Sequence, residues 1–127
     1  MKKQLIYFVM LLLSTTALAQ SIAVDGIHTI DGINYNLSGT SATLVSGNYK
    51  FSGLTIPSVV TFKNKSYTVT AIGDNALEDC TNLKFINIPR SVTSIGKYAL
   101  SGCTGLTSIE IPNTVTNIGN CAFLDCI

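Results

Sequence analysis

The chain is poor in charge, in histidine and in paired metal-ligand motifs, and each shortage closes off a class of function. Only 12% of its 127 residues are charged, while 46% are apolar. Disorder requires the reverse, low hydrophobicity with high charge, so this chain is expected to fold. The single histidine, His28, and the lack of any Cys-x-x-Cys pair leave no donor set spaced for zinc. No metal and no other cofactor is expected. No Gly-x-Ser-x-Gly stretch presents a serine nucleophile. His28, Asp25 and a serine can be written down as a triad, but nothing supplies an oxyanion hole. Glu78 and Asp79 are sequence neighbours on a turn, whereas glycoside hydrolysis needs two acids flanking a cleft. The chain is therefore not expected to be an enzyme. Its longest apolar run, residues 5–13, is about half of the roughly 20 residues that a membrane-spanning helix needs.

That run has a different use. Lys2-Lys3 precede it, and Ala17-Leu18-Ala19 follow it with a small-x-small pattern. Residues 1–19 read as a secretory signal peptide cut after Ala19, which places the mature chain outside the cell or on its surface. Gln20 would then be the new N-terminus, with no cysteine there to take a lipid. The remaining 108 residues carry six basic and seven acidic side chains, a net charge of −1. Nucleic acid calls for a basic patch, so none is expected as a partner. Electrostatic membrane binding and membrane insertion after cleavage are not expected either.

What the chain does have is a repeat. Ile72-Gly73, Ile95-Gly96 and Ile118-Gly119 recur every 23 residues. Ala76, Ala99 and Ala122 keep that phase, as do Leu77, Leu100 and Phe123, and Cys80, Cys103 and Cys126. Leu83/Leu106, Ile86/Ile109, Ile88-Pro89/Ile111-Pro112 and Val92-Thr93/Val115-Thr116 complete the unit. A fixed period of this length marks a solenoid, whose units bury their apolar faces only by stacking. Ile86 and Ile88 alternate with Phe85 and Asn87, and Ile109 and Ile111 with Ser108 and Glu110. That alternation predicts a strand with one buried face, ended by proline. A second extended segment follows over 91–95 and 114–118. Gly73, Gly96 and Gly119 are then expected to permit a bend that a Cβ would hinder. Residues 75–79 and 97–102 are expected to form about one helical turn each. The fold class is thus mainly β, a solenoid of 23-residue coils with a parallel strand ladder and an N-terminal β cap.

Residues 20–50 form the cap, with Asp25-Gly26 and Asp31-Gly32 as turn formers and Ile33, Tyr35, Leu37, Ala42 and Leu44 as alternating strand residues. Residues 51–127 hold the repeats. Phe51, Leu54 and Ile56-Pro57 match a repeat strand, and 51–71 is a degenerate unit with a nine-residue insertion. The insertion reads as a hairpin of Val59-Val60-Thr61-Phe62 and Tyr67-Thr68-Val69-Thr70 about a Lys63-Asn64-Lys65 turn, its lysines discouraging edge pairing. Units 72–94 and 95–117 are regular, and 118–127 is truncated. Its missing strand suggests the N-terminal piece of a longer protein or a shortened reading frame, with self-association through the open coil as one outcome.

Cys80, Cys103 and Cys126 share a phase, so they stack in a column. Column neighbours stand roughly 5 Å apart on parallel vectors, which suits buried free thiols better than the ~3.8 Å of a disulfide. One adjacent disulfide is the alternative. Cys121 is off phase and more exposed, open to pairing with Cys126 or another chain. The outward strand positions, Lys84, Phe85, Asn87, Thr107, Ser108 and Glu110, form a candidate protein-binding face, since solenoids use such surfaces. Phe85 either anchors an interface or packs against the insertion hairpin.

The run Cys80-Thr81-Asn82-Leu83, Ile86, Ile88-Pro89, Val92-Thr93-Ser94-Ile95-Gly96, Ala99-Leu100, Cys103 resembles the BspA-like leucine-rich repeat. The likeness covers 51–126 well and 22–49 loosely, with Leu77 and Leu100 where phenylalanine is usual. The resemblance implies a secreted or surface-attached bacterial protein and adhesion to host matrix or microbial surface proteins. It brings no shared catalytic residues. A structural spacer with no binding of its own is the competing expectation.

Overall fold

A computed structural model describes residues 24–126; the expected signal peptide lies outside them. The N-terminal part is built from hairpins. Strand β1 (Gly26–Ile30) pairs antiparallel with β2 (Ile33–Ser38) around Asp31 and Gly32. Both turn residues have positive φ, 50° and 80°, the type I′ geometry that Asp-Gly favours. Strand β2 turns at Gly39 into β3 (Ser41–Leu44). Ile33, Tyr35, Leu37, Ala42 and Leu44 are all buried, as their alternation predicts. Asp25-Gly26 makes no hairpin; Gly26 opens β1, and the Asp25 carboxylate accepts the Gly39 N–H at 3.3 Å.

Strand β3 then pairs parallel with β6 (Lys65–Ile72), so the first parallel strand of the stack lies within 20–50. From there β6 pairs with β8 (Ser94–Ile95), and β8 with β9 (Asn117–Ile118), all parallel. Leu44, Ile72, Ile95 and Ile118 therefore form one column. The insertion is strand β5 (Val59–Phe62), antiparallel to the first half of β6. Its turn is two residues, Lys63 and Asn64 with φ of 49° and 64°, and Lys65 already belongs to β6. A second, smaller sheet joins β4 (Gly53–Thr55) to β7 (Phe85–Asn87), with one further bridge from Asn87 to Glu110. The expected strand through Ser108 and Ile111 is reduced to that bridge. Among the described residues it has a neighbour on one side only, so half of its ladder bonds are unmade. The extended segments over 91–95 and 114–118 are likewise strands only at their last two residues.

Between the two sheets run ladders of like side chains. Ala76, Leu77, Leu83, Val92, Ile95, Ala99, Leu100, Cys103 and Leu106 are each at most 2% exposed. The last coil is more open: Phe123, Val115 and Ile111 are half-buried and Ile118 is 52% exposed.

No helix forms at residues 75–79 or 97–102. Asn75, Tyr98 and Cys121, at equivalent positions, all have left-handed φ of 54–58°. Asp79, Gly102 and Asp125, four residues on, repeat the same excursion. The backbone N–H groups then point alternately two ways. Those of Asn75, Leu77 and Asp79 donate to the Lys97, Ala99 and Ser101 carbonyls of the next coil at 2.7–2.9 Å. Those of Ala76, Glu78 and Cys80 close local turns at 3.2–3.3 Å. A helix would send every N–H along its own axis and leave the coils unstitched.

The repeat glycines also act differently from expectation. Their φ is not left-handed; the need is for space. A Cβ on Gly96 would stand 2.5 Å from the Asp74 nitrogen and 2.6 Å from the Gly73 carbonyl carbon. Gly119 meets Gly96 and Lys97 in the same way. Backbone lies on backbone here, with Gly73, Gly96 and Gly119 N–H groups each donating at 2.8 Å to Leu44, Ile72 and Ile95.

Candidate protein-binding face

Lys84, Phe85, Asn87, Thr107, Ser108 and Glu110 are all exposed, on two successive coils. Alternation turns Ile86 inward and leaves Phe85 and Asn87 outward. Phe85 is 53% exposed. It does not pack on the insertion hairpin. Register places it beside Gly53, and its ring occupies the space that a Cβ on Gly53 would fill. The ring thus lies over the neighbouring strand because that strand has a glycine there, and about half of it stays open to solvent. The Asn87 amide donates to the Thr55 hydroxyl at 3.1 Å, tying the two coils together on the same face.

A concavity flanks this face at each end. One, of about 400 Å³, opens beyond the strand ends over an apolar floor of Ile86, Ile88 and Ile111. Asn87, Arg90, Glu110 and Asn113 form its polar walls. The other, of about 480 Å³, lies at the strand starts and contains Lys50 and Lys84. Arg90, Asn113 and Lys50 went unnoticed in the sequence. Arg90 and Asn113 do share a signal, since each directly follows the proline of its repeat.

The cysteines stand where the repeat phase puts them, and all four are unpaired. The Cys103 thiol donates to the Leu77 carbonyl at 3.1 Å, and the Cys126 thiol to that of Leu100 at 2.9 Å. Each thiol is thus a rung joining its coil to the preceding one. Burial, with the neighbouring thiols of Cys126 and Cys80 adding to it, pushes the Cys103 thiol up to about 12. Burial raises Cys80 and Cys126 as well. A thiol held neutral is a poor nucleophile, and Cys80 and Cys103 pack in the core as small apolar side chains. Cys121 is exposed. His28 stacks on Phe62 at 4.4 Å between ring centroids, and its Nε2 lies 2.8 Å from the Val24 carbonyl oxygen. The Asp25 carboxylate, written beside His28 in the sequence triad, accepts the Gly39 N–H instead at 3.3 Å. Among the described residues no three His, Cys, Asp or Glu side chains gather as metal ligands.

The register, the coil length and the paired sheets define a parallel leucine-rich-repeat solenoid. A family model, BspA type leucine rich repeat region, matches residues 36–127, and the chain belongs to that family. The match begins within β2, ahead of the expected start of the repeats at Phe51. Among solved structures, a leucine-rich repeat protein of Bacteroides ovatus is 36% identical with a TM-score of 0.71. That likeness covers 78% of this chain and 27% of the other. A leucine rich cell surface protein of Faecalibacterium prausnitzii is 30% identical with a TM-score of 0.70, over 79% of this chain and 28% of that one. A leucine-rich repeat protein of Bacteroides capillosus is 28% identical with a TM-score of 0.71, over 78% and 75%. The chain thus spans about a quarter of the length of the first two. No curated protein matches it.

Proposed function

We propose that this chain is a secreted or surface-exposed interaction module that binds an extracellular protein, of the host matrix or of a microbial surface, through its strand face. The observation that carries the reading is Phe85: a large apolar ring, 53% exposed, held by Gly53 at the centre of a polar face. Aromatic residues ringed by polar ones are what interface hot spots are made of. The surface setting is supported by the cell surface relative and by the signal peptide read at residues 1–19.

The test is surface plasmon resonance of the secreted product against purified matrix proteins and bacterial surface proteins, comparing the native chain with Phe85→Ser. A saturable ligand that is lost in Phe85→Ser, with thermal stability nearly unchanged, supports the module. Stability should move little, because half the ring is already in water and its removal costs about 1 kcal/mol. Spacer function is the second reading, favoured by the chain's spanning only 27–28% of two relatives. It predicts no saturable ligand on any surface.

A further inference from the structure

The groove at the strand starts has one sign of charge. Lys50 and Lys84 line it together with Ser52, Thr81, Asn82 and Thr107, and no carboxylate does. Asp79, whose charge opposes that of Lys50 at the Cys80 thiol, is not part of the lining. Three coils contribute, one lysine each from the first two and Thr107 from the third. Backbone stitching fixes their alignment, with the Lys84 N–H donating to the Ser52 carbonyl at 2.7 Å. Gly105, also in the lining, lets the third coil lie close on the second. Its Cα sits against the Thr81 and Leu83 carbonyls, where a Cβ would come within 2.5 Å and 2.9 Å of their oxygens.

Two ammonium groups lining one concavity make an anion its complementary occupant, and the hydroxyls and the Asn82 amide offer further donors to it. About 480 Å³ admits a side chain with its flanking backbone and falls within the ordinary range of ligand pockets. Two cations match one or two carboxylates. A sulfated glycan would call for an extended basic stripe, which a mature chain of net charge −1 lacks. Lys84 is also the chain neighbour of Phe85, so an anion in the groove lies beside an apolar contact on the ring.

With the strand face taken as the docking surface, we infer that this groove receives the carboxylate side chain of an acidic residue in an extended peptide segment of the ligand. That acidic residue sets the direction in which the segment crosses the face. The concavity at the other end carries both Arg90 and Glu110 and makes no such selection of charge.

The test is fluorescence anisotropy of labelled hexaglutamate titrated with the secreted chain at low and physiological salt. Hexaglutamine and a heparin tetrasaccharide serve as comparison probes. Hexaglutamate is expected to bind saturably and more tightly than either. The Lys50→Ala/Lys84→Ala double variant should bind it about tenfold more weakly, each exposed lysine contributing as a surface ion pair does. Lys63→Ala/Lys97→Ala removes the same charge elsewhere and should leave binding unchanged. Equal binding of hexaglutamine, equal loss in the Lys63/Lys97 variant, or tighter binding of heparin overturns the assignment. If hexaglutamate fails while Phe85→Ser still abolishes capture of a purified extracellular protein, the groove assignment falls and the binding role stands.

Discussion

Gly96→Ala is the substitution that most directly probes how the coils stack. The new Cβ would stand 2.5 Å from the Asp74 nitrogen and 2.6 Å from the Gly73 carbonyl carbon, both backbone atoms of the preceding coil. Neither can swing aside as a side chain end would. Relief requires the coils to part by nearly 1 Å, at the point where the Gly96 N–H donates to Ile72 and the Lys97 N–H to the Asp74 carboxylate, both at 2.8 Å. Loosening two such bonds costs about 1 kcal/mol each. Overpacking adds about 1–3 kcal/mol. A loss of about 3–5 kcal/mol follows, a large part of the whole stability of a domain this size. Gly39→Ala is the control: nothing lies within 4 Å of its new Cβ, but its φ is +60°. It should cost only the left-handed penalty, about 1–2 kcal/mol. Urea unfolding followed by circular dichroism measures both. A Gly96→Ala loss below 1 kcal/mol, or one no larger than that of Gly39→Ala, would refute the claim of backbone-on-backbone contact.

Other consequences follow from the same packing. Leu100→Ala empties a fully buried ladder position and should cost about 2–5 kcal/mol in the same assay. Native labelling with a thiol reagent should modify Cys121 alone, and labelling in denaturant all four cysteines. Cys121→Asn should abolish native labelling and leave the chain at least as stable to urea, because Asn tolerates the φ of 58° better than cysteine does. Alkaline pH should destabilise the fold. The folded Cys103 thiol is raised from 9.0 to about 12, so its contribution is complete below pH 9 and is lost as pH rises from there toward 12. Tyr35, raised from 10.0 to about 12 by burial, acts in the same direction. A stability profile rising with pH across that window would contradict both burials.

Much of the fold was legible because stacking forces like residues into columns. The Ile-Gly, Ala, Leu and Cys phases named the core directly, and Asp31-Gly32 named its turn. Columns hide where spacing breaks. Leu44 and Ile72 are paired in the ladder but lie 28 residues apart in the chain, so the 23-residue rule did not lead back to β3. The missing helix was hidden for another reason. Asn75, Tyr98 and Cys121 share a left-handed backbone and no side-chain chemistry, since neighbouring coils impose the conformation. The exposed face was legible as alternation, but its shape was not. Phe85 owes its seat to Gly53, 32 residues earlier in a degenerate unit, and the lysine groove gathers residues that differ at every repeat.

The central claim is that the strand face is a docking surface, and one paired measurement addresses it. The native chain and a Phe85→Ser/Glu110→Lys variant are titrated against the same panel of purified matrix and bacterial surface proteins, with melting curves recorded for both. The account predicts at least one saturable ligand for the native chain, lost in the variant while the melting temperature falls by only about 4 °C. No saturable ligand, or a ligand bound equally by both chains, would contradict it.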